Sequence, residues 1–119
     1  MKFGVIILLF SFAIYQVKHK SGFYSGPKIR VINDTEIYFT NVSLFSMPFE
    51  NLKPRDTSAY QILNFNALKD DSLIYCSSGD NNFARYLEIP KREAVYVTYV
   101  IDSIYNDMLY VSTTYTKEE

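Results

Sequence analysis

The sequence predicts an all-β fold, an antiparallel sandwich of about seven strands that follows an apolar N-terminal segment. Three observations lead to this prediction. Aromatic residues make up 17% of the chain, with eleven Tyr and nine Phe, while Gly and Pro number only four each. Short runs of β-branched and aromatic residues alternate with polar turns, and no stretch after residue 20 repeats with a helical period. Together these features favour ordered β structure over helix or disorder.

The predicted strands follow one another at the spacing of a sandwich domain. Because no amphipathic helix is present to cover an apolar sheet face, the second layer must itself be a sheet. The architecture predicted is an immunoglobulin-like or transthyretin-like sandwich, and a small open barrel is the alternative. The predicted strands are Ile29–Asn33, Glu36–Phe45, Ala59–Phe65, Ser72–Ser77, Ala84–Ile89, Ala94–Ile104 and Met108–Thr116.

The second predicted strand contains a slip in its period-two alternation. Ile37 and Phe39 share one face, whereas Val42 and Leu44 resume the apolar pattern one position out of step. An extra residue in the strand would bring both halves back to the same face. We therefore predict a β-bulge or bend at Thr40-Asn41.

The last two predicted strands indicate an antiparallel hairpin. The odd-numbered residues of each strand share one face, and they are Val95, Val97, Tyr99 and Ile101 in the first and Leu109, Val111, Thr113 and Tyr115 in the second. Pairing odd positions with odd positions requires a loop of odd length. We predict the three-residue turn Tyr105-Asn106-Asp107, in which Asn106 or Asp107 takes the left-handed conformation.

The first twenty residues predict a signal peptide or a membrane anchor. Residues 3–17 are uncharged and mostly apolar, with Lys2 before them and Lys18 and Lys20 behind them. A secretory leader has such a basic start and apolar stretch. As a helix, residues 3–17 would cover about 22 Å, which is shorter than the hydrocarbon core of about 30 Å. The sequence leaves open whether this segment is cleaved, and lysines on both sides leave its orientation open.

We expect residues 3–17 to form a hydrophobic helix that contacts the lipid bilayer. The domain organisation predicted is a leader or anchor over residues 1–20, a Gly-, Ser- and Pro-containing linker over 21–27, and one β-sandwich domain over 28–119. The expected location of the domain is the periplasmic side of a bacterial cell envelope, either membrane-anchored or exported.

Charge and residue usage argue against several classes of function. The chain past Lys20 carries a net charge of −4 and has no basic stripe, so nucleic acid is not an expected partner. His19 is the only histidine, and it lies beside the apolar segment. The domain therefore lacks the histidine base of a hydrolytic triad and the set of ligands that a zinc site needs. Cys76 is the only cysteine, and its position in an apolar strand predicts a buried, inert thiol. We expect no catalytic residue, no metal and no cofactor, and a protein that is not an enzyme.

Two oxygen-rich turns support an alternative interpretation. Asp70-Asp71-Ser72 and Asp80-Asn81-Asn82 carry carboxylates that suit calcium or acid–base chemistry. The alternative is therefore an enzyme or a calcium-dependent binder that uses Asp70, Asp71 and Asp80. Neither turn has the alternating spacing of an EF-hand loop, and Asp and Asn are common in turns for conformational reasons alone.

The surplus of tyrosine predicts a binding surface. Tyr38, Tyr86, Tyr96 and Tyr110 fall on strand faces opposite several core candidates, so some of their rings should reach the surface. Tyrosine is enriched at interfaces because it gives a large contact area together with a hydroxyl group. The binding residues predicted are Ser58 and Tyr60, beside the Phe49–Thr57 loop, and Tyr86. A protein partner would use this Tyr-rich face or a sheet edge, although cross-strand pairing on a solvated sheet explains the tyrosines as well.

Part of the chain also resembles a known type of protein. Val31-Ile32-Asn33-Asp34 form a first turn, and a Phe-x-x-Leu turn at Phe49–Leu52 leads through Thr57-Ser58 into a strand that opens with Tyr60. With Val42 and Leu44, these residues make the stretch from Ile29 to Phe65 similar to small exported bacterial β-sandwich proteins. That resemblance implies an envelope location and transfers no active site. The function expected is a non-catalytic binding or assembly module.

Overall fold

The computed structural model describes residues 24–91 and 95–117. These residues form eight strands and no helix, so nothing in this part of the chain is a helix capable of crossing a bilayer. The segment predicted to be a hydrophobic helix lies outside the described residues. The strands are β1 (Tyr24–Asn33), β2 (Thr40–Leu44), β3 (Met47–Pro48), β4 (Gln61–Phe65), β5 (Leu73–Ser78), β6 (Asn81–Tyr86), β7 (Tyr96–Tyr105) and β8 (Met108–Thr116).

The strands form two four-stranded sheets. The first sheet has the order β4-β1-β7-β8 and the second sheet has the order β3-β2-β5-β6. Neighbouring strands are antiparallel except for β1 and β7, which run parallel. Within the described residues no strand pairing joins one sheet to the other, so the layers are separate and the barrel alternative does not apply. The predicted all-β architecture of two sheets is confirmed.

The core lies between the two sheets, where each strand turns alternate side chains inward. Phe45, which follows β2, packs edge-on against Phe65 of β4 and Tyr99 of β7, with ring centroids 5.8 Å apart in both pairs. Burying one large apolar side chain of this kind contributes about 1.5–3 kcal/mol. Other fully buried residues are Ile29, Val31, Leu63, Val97 and Ile101 in the first sheet and Leu44, Ile74 and Cys76 in the second.

The bulge predicted in the second strand is present. The pairing of β2 with β5 shifts register between Thr40 and Ser43, and Asn41 has a φ of 52°. Because of this shift, Phe39 before the bulge and Val42 and Leu44 after it are all buried. The strand is shorter than predicted, since Phe39 makes only an isolated bridge to Leu52.

The β7–β8 hairpin has the predicted register but a different turn. Tyr105 pairs with Met108, so the turn contains only Asn106 and Asp107, whose φ values are 55° and 61°. Positive φ at both central residues defines a type I′ turn, whose twist matches that of the flanking strands. The predicted three-residue turn is wrong. A two-residue turn by itself pairs odd positions with even positions. The bulge between Ile101 and Ser103 adds one residue to β7, so beyond it odd positions pair with odd positions as predicted.

Two other elements begin earlier than the sequence indicates. Strand β1 begins at Tyr24 instead of Ile29, because residues 24 and 25 already pair with β4. The register shift that follows accommodates Gly26 and Pro27, where the missing N–H of proline costs no ladder bond. Residues 24–27 are thus part of a strand, although the sequence places them in a linker.

Strand β6 begins at Asn81 instead of Ala84, so the turn predicted at Asp80-Asn81-Asn82 is wrong. Ser78 pairs with Asn81 across a two-residue turn whose first position is Gly79, with a φ of 60°. Glycine is favoured there because it takes positive φ without steric strain. The short strand β3 was not predicted at all, and it forms because Phe45 and Ser46 reverse the chain with positive φ.

Candidate binding face

The outer side of the first sheet brings two tyrosine rings and two cationic side chains together. The ring of Tyr60 lies 5.0 Å from that of Tyr96, measured between centroids. The guanidinium carbon of Arg30 lies 4.6 Å from the centroid of Tyr60, and the ammonium nitrogen of Lys28 lies 5.7 Å from that of Tyr96. Both distances are within the range of attractive cation–π contacts. We call Lys28, Arg30, Tyr60 and Tyr96 the aromatic face.

Strand register explains why these four residues meet. In the parallel pair of β1 and β7, Lys28 lies beside Tyr96 and Arg30 lies beside Thr98. Ile29 and Val31 point into the core, so the even positions of β1 point outward. Lys28 also pairs with Ile62 of β4, and extending that register by two residues puts Tyr60 beside Arg30.

The guanidinium of Arg30 is fixed in place by a side chain of β7. Its Nε donates a hydrogen bond to the hydroxyl oxygen of Thr98 at 3.1 Å. This contact holds the planar group over the Tyr60 ring. Because the Arg30 side chain is already ordered, binding at this face would cost less conformational entropy. The aromatic face is thereby organised before any partner arrives.

The aromatic face combines positive charge with apolar surface. It gathers two positive charges on a chain whose formal net charge is −1. Ile62 borders it with 58% of its surface exposed, which adds an apolar patch beside Lys28. Tyr and Arg are the side chains that most often dominate protein–protein binding energy. This combination suits a protein surface that offers acidic and apolar or aromatic groups.

Ser58, one of the predicted binding residues, is buried. Its hydroxyl accepts a hydrogen bond from the Val31 N–H at 2.9 Å and donates one to the Ala59 carbonyl at 2.9 Å. Its own N–H donates to the Val31 carbonyl at 2.8 Å. Ser58 thus hydrogen-bonds to the backbone of β1 just before β4 begins, two residues ahead of Tyr60.

Tyr86, the third predicted binding residue, lies away from the other two. It is the last residue of β6, in the second sheet, and 79% of its surface is exposed. The structure therefore brings Tyr60 together with Tyr96 and places Tyr86 in the other layer. Tyr38 and Tyr110 are also exposed, which confirms that several tyrosine rings reach the surface.

The carboxylates of the alternative interpretation are not gathered in one place. Asp70 closes a turn, since its Oδ2 accepts the Asn66 N–H at 2.8 Å, and Asp71 follows it directly. Asp80 lies in the turn at the other end of β5, a six-residue strand that spans about 20 Å. Within residues 24–91 and 95–117, no three His, Cys, Asp or Glu side chains form a group able to hold a metal ion.

Cys76 is enclosed in the core. Its side chain is fully buried, and desolvation raises the pKa of the thiol from 9.0 to about 12. A thiol with that pKa carries almost no thiolate at neutral pH and is therefore a poor nucleophile. The prediction that this cysteine is buried is confirmed.

Asn33 is a buried polar residue whose role the sequence does not reveal. Its side-chain nitrogen donates to the carbonyls of Ile37 at 2.7 Å and Lys53 at 3.0 Å, and its Oδ1 accepts from the N–H and hydroxyl of Thr35. These bonds tie the turn after β1 to the loop before β4. Asn33-Asp34-Thr35 matches a glycosylation sequon, but in the folded protein the side-chain amide of Asn33 is buried and hydrogen-bonded.

The sequence contained a partial signal for the aromatic face. The alternation in Lys28-Ile29-Arg30-Val31 places both cations on the side opposite the core. What the sequence could not show is that β1 pairs with β7, because a parallel pairing between strands about 70 residues apart leaves no local pattern. Tyr60 was therefore predicted without its neighbours.

Comparison with known proteins adds no relative. The chain matches no known protein family, and neither curated proteins nor solved structures give a significant match.

Proposed function

We propose that this protein is a non-catalytic binding or assembly module of the bacterial cell envelope, and that the aromatic face is its contact surface for a protein partner. Residues 3–17 would anchor the domain to the membrane or direct its export, so that it works on the periplasmic side. The uncharged apolar run between Lys2 and Lys18 supports this location. The resemblance of residues 29–65 to exported bacterial sandwich proteins supports it as well.

The observation that carries the proposal is the arrangement of Arg30 on Tyr60 and of Tyr60 against Tyr96. These side chains are half-buried, held by contacts with one another, and open to solvent on one side of the sheet. A rigid group of aromatic and guanidinium side chains is the composition of a binding hot spot. The same contacts also stabilise the sheet, so the experiment must separate binding from folding.

A non-catalytic role fits the positions of the reactive side chains. Cys76 is enclosed in the core, and Asp80 is separated from Asp70 and Asp71 by the length of β5. The side chains that do meet on a solvent-facing surface are tyrosine, arginine and lysine. Tyrosine and arginine are side chains enriched in the hot spots of protein–protein interfaces.

For the architecture, we propose the transthyretin-like of the two predicted sandwiches. In the immunoglobulin order the first, second, fourth and fifth strands share one sheet. Here β1 and β2 lie in different sheets, and β1 pairs with β4 and β7. That order favours the transthyretin-like alternative.

Affinity purification of the full-length chain from bacterial membranes tests the binding proposal. Tyr60→Ala removes the central ring of the aromatic face, and we expect it to reduce recovery of the partner at least tenfold, the effect of losing a hot-spot residue worth more than about 1.4 kcal/mol. Tyr86→Ala is the matched control, because it removes an exposed tyrosine from the other sheet. The melting temperature of each variant separates lost binding from lost folding.

Two results would count against the aromatic face. Equal partner recovery with Tyr60→Ala and wild type would exclude it as the contact surface. Loss of the partner only in Tyr86→Ala would move the site to the second sheet.

Location has its own test. The intact mass of the protein recovered from cells shows whether the first twenty or so residues remain attached. A reporter fused after residue 119 shows on which side of the membrane the domain lies, and a reporter confined to the cytosol would contradict the proposed location.

A further inference from the structure

The loop between β4 and β5 holds a leucine in solvent. Leu68 has 95% of its surface exposed, the highest fraction among the large hydrophobic residues that the structure describes. Single exposed leucines are common on protein surfaces. Two features distinguish Leu68 from such residues, namely the hydrogen bonds that fix its loop and the place of that loop beside the start of β1.

Hydrogen bonds inside the loop fix the position of Leu68. The side-chain oxygen of Asn66 accepts the Leu68 N–H at 3.0 Å. The Asn66 carbonyl accepts the N–H groups of Lys69 at 3.0 Å and of Asp70 at 2.8 Å. The Asp70 carboxylate in turn accepts the Asn66 N–H at 2.8 Å. These four bonds close a compact turn, and the leucine side chain projects from it into solvent.

This loop lies at the end of the sandwich where β1 begins. Phe65, the last residue of β4, pairs with Tyr24, the first residue of β1, and Leu68 follows Phe65 by three residues. Only six residues, Lys18–Phe23, separate Tyr24 from the apolar run of residues 3–17. Such a connection spans at most about 25 Å when fully extended. An anchor formed by residues 3–17 therefore keeps this end of the sandwich close to the bilayer surface.

The connection after β6 brings a second exposed apolar residue to the same end. The Leu87 N–H donates to the Ser72 carbonyl at 3.0 Å, and the Ser72 hydroxyl donates to the Leu87 carbonyl at 3.1 Å. Ser72 closes the connection between β4 and β5, so the residues after β6 run beside the loop that holds the leucine. Ile89 follows two residues later and is 45% exposed. Lys91 comes next but one and is also exposed.

We propose that this end of the sandwich docks on the lipid bilayer, with Leu68 and Ile89 inserted at the level of the headgroups. Apolar side chains enter a membrane interface because their burial removes apolar surface from water. Lys69 and Lys91 follow directly or closely on the two apolar residues, and a lysine can lay its stem along an apolar surface while its ammonium stays in water.

Apolar contact drives this docking, and lipid charge is not required. Asp71 and Glu88 are exposed in the same two connections and offset the charges of the two lysines. We therefore expect docking on zwitterionic phosphatidylcholine. The inference rests on the membrane anchor of the proposed function and does not involve the aromatic face. Docking would hold β1 pointing away from the bilayer, so that the domain keeps one orientation on its short connection.

Fluorescence quenching in vesicles tests the docking. The full-length chain is incorporated into phosphatidylcholine vesicles that contain a lipid with a nitroxide quencher on its headgroup. A fluorophore is attached to the introduced thiol of Leu68→Cys, while native Cys76 is buried and stays unlabelled. The matched control is Met108→Cys, which also replaces an exposed apolar residue. Met108 pairs with Tyr105 at the far end of β7, about 30 Å from Tyr96.

The fluorophore at residue 68 should be quenched several times more strongly than the one at residue 108. Flotation of the vesicles reports on the anchor separately. If the protein floats with the vesicles but both positions are quenched equally, or neither is quenched, the docking is overturned and the anchor stands. If the protein does not float at all, both the anchor and the docking are wrong.

A second variant tests whether the leucine drives the contact. With the fluorophore on Ile89→Cys, the additional substitution Leu68→Glu should reduce quenching several-fold, whereas Leu68→Met should preserve it because the side chain stays apolar. Leu68 lies outside the core, so neither substitution should change the melting temperature. Equal quenching with Leu68→Glu and with the native leucine would overturn the proposal, as would a loss of quenching with Leu68→Met.

Discussion

At the scale of single residues, the polar side chain of Asn33 determines how the turn after β1 packs against the loop before β4. The residue is fully buried, its amide nitrogen lies within hydrogen-bond distance of three loop carbonyls, and its oxygen accepts hydrogen bonds from Thr35. An aspartate in its place would direct carboxylate oxygens at carbonyl oxygens. We expect Asn33→Asp to reduce the free energy of unfolding by about 3–5 kcal/mol, the cost of an uncompensated buried charge.

Urea denaturation measures this loss, and Asn41→Asp is the matched control. Asn41 carries the same amide group but is exposed on the bulge of β2, so its substitution should change stability by less than about 0.5 kcal/mol. Equal effects of the two substitutions would show that the buried hydrogen bonds of Asn33 contribute little.

Cys76 gives stability a defined pH dependence. The folded state raises the thiol pKa from 9.0 to about 12, so the folded protein holds the proton more tightly than the unfolded chain. This contribution is fully present below pH 9.0 and is lost as the pH rises toward 12, at up to about 1.4 kcal/mol per pH unit. We expect wild type to lose stability relative to Cys76→Ala between pH 8 and pH 10.5.

Wild type and Cys76→Ala share every other titratable group, so the difference between them isolates the contribution of the thiol. The measurement is the difference in unfolding free energy between the two proteins at each pH. A difference that stays constant over this range would mean that the thiol ionises as readily in the folded state as in the unfolded state.

At the scale of elements, the β7–β8 hairpin depends on a turn that its sequence fits imperfectly. Asp107 has a φ of 61°, which costs a residue with a side chain about 1–2 kcal/mol relative to glycine. Asp107→Gly creates Asn-Gly, the preferred pair for a type I′ turn, and should raise the free energy of unfolding by about 1 kcal/mol.

Asp107→Ala is the paired substitution, because it shortens the side chain but keeps the unfavourable φ and loses the tolerance of Asp for this region. It should destabilise the protein. Thermal melting of both variants measures the two effects, and a shift in the same direction for both would contradict the assignment of strain to this position.

The same hairpin shows how far the sequence alone can go. Parity of the apolar positions predicted which residues of β7 and β8 face each other, because one sheet face must be buried. It could not predict the turn, since a loop of odd length and an even loop with one bulge give the same register. The bulge next to Asp102 became visible only in the structure.

The aromatic face shows the corresponding limit for function. The tyrosine content pointed to a binding surface, and alternation in β1 put Lys28 and Arg30 on the outer side. Their meeting with Tyr96 depends on the parallel pairing of β1 with β7. Likewise, Ser58 resembles a surface residue in sequence, and only its bonds to Val31 and Ala59 reveal its place in the interior.

At the scale of the whole molecule, side-chain hydrogen bonds connect the two sheets along both open sides. Gln61 Nε2 donates to the Pro48 carbonyl at 2.8 Å on the side of β4 and β3. Arg85 donates to the Leu109 carbonyl on the side of β6 and β8. Together with the rings packed between the layers, these contacts hold the two sheets against each other at both edges.

The separation of the carboxylates across the molecule gives a further prediction. Because Asp80 lies at the opposite end of β5 from Asp70 and Asp71, these residues cannot share one calcium ion. We expect millimolar calcium to leave the melting temperature unchanged, with magnesium at the same concentration as the ionic-strength control. A rise specific to calcium would support the alternative of a calcium-dependent binder.

The measurement that tests the central claim most directly is site-specific photocrosslinking of the full-length protein in cells. A photoreactive residue at Ile62 samples the outer face of the first sheet beside Lys28, and one at Ala84 samples the outer face of the second sheet. The account predicts a crosslinked partner from Ile62 that Tyr60→Ala removes, and no such product from Ala84. A partner captured equally from both positions, or from Ala84 alone, would contradict a binding surface on the aromatic face.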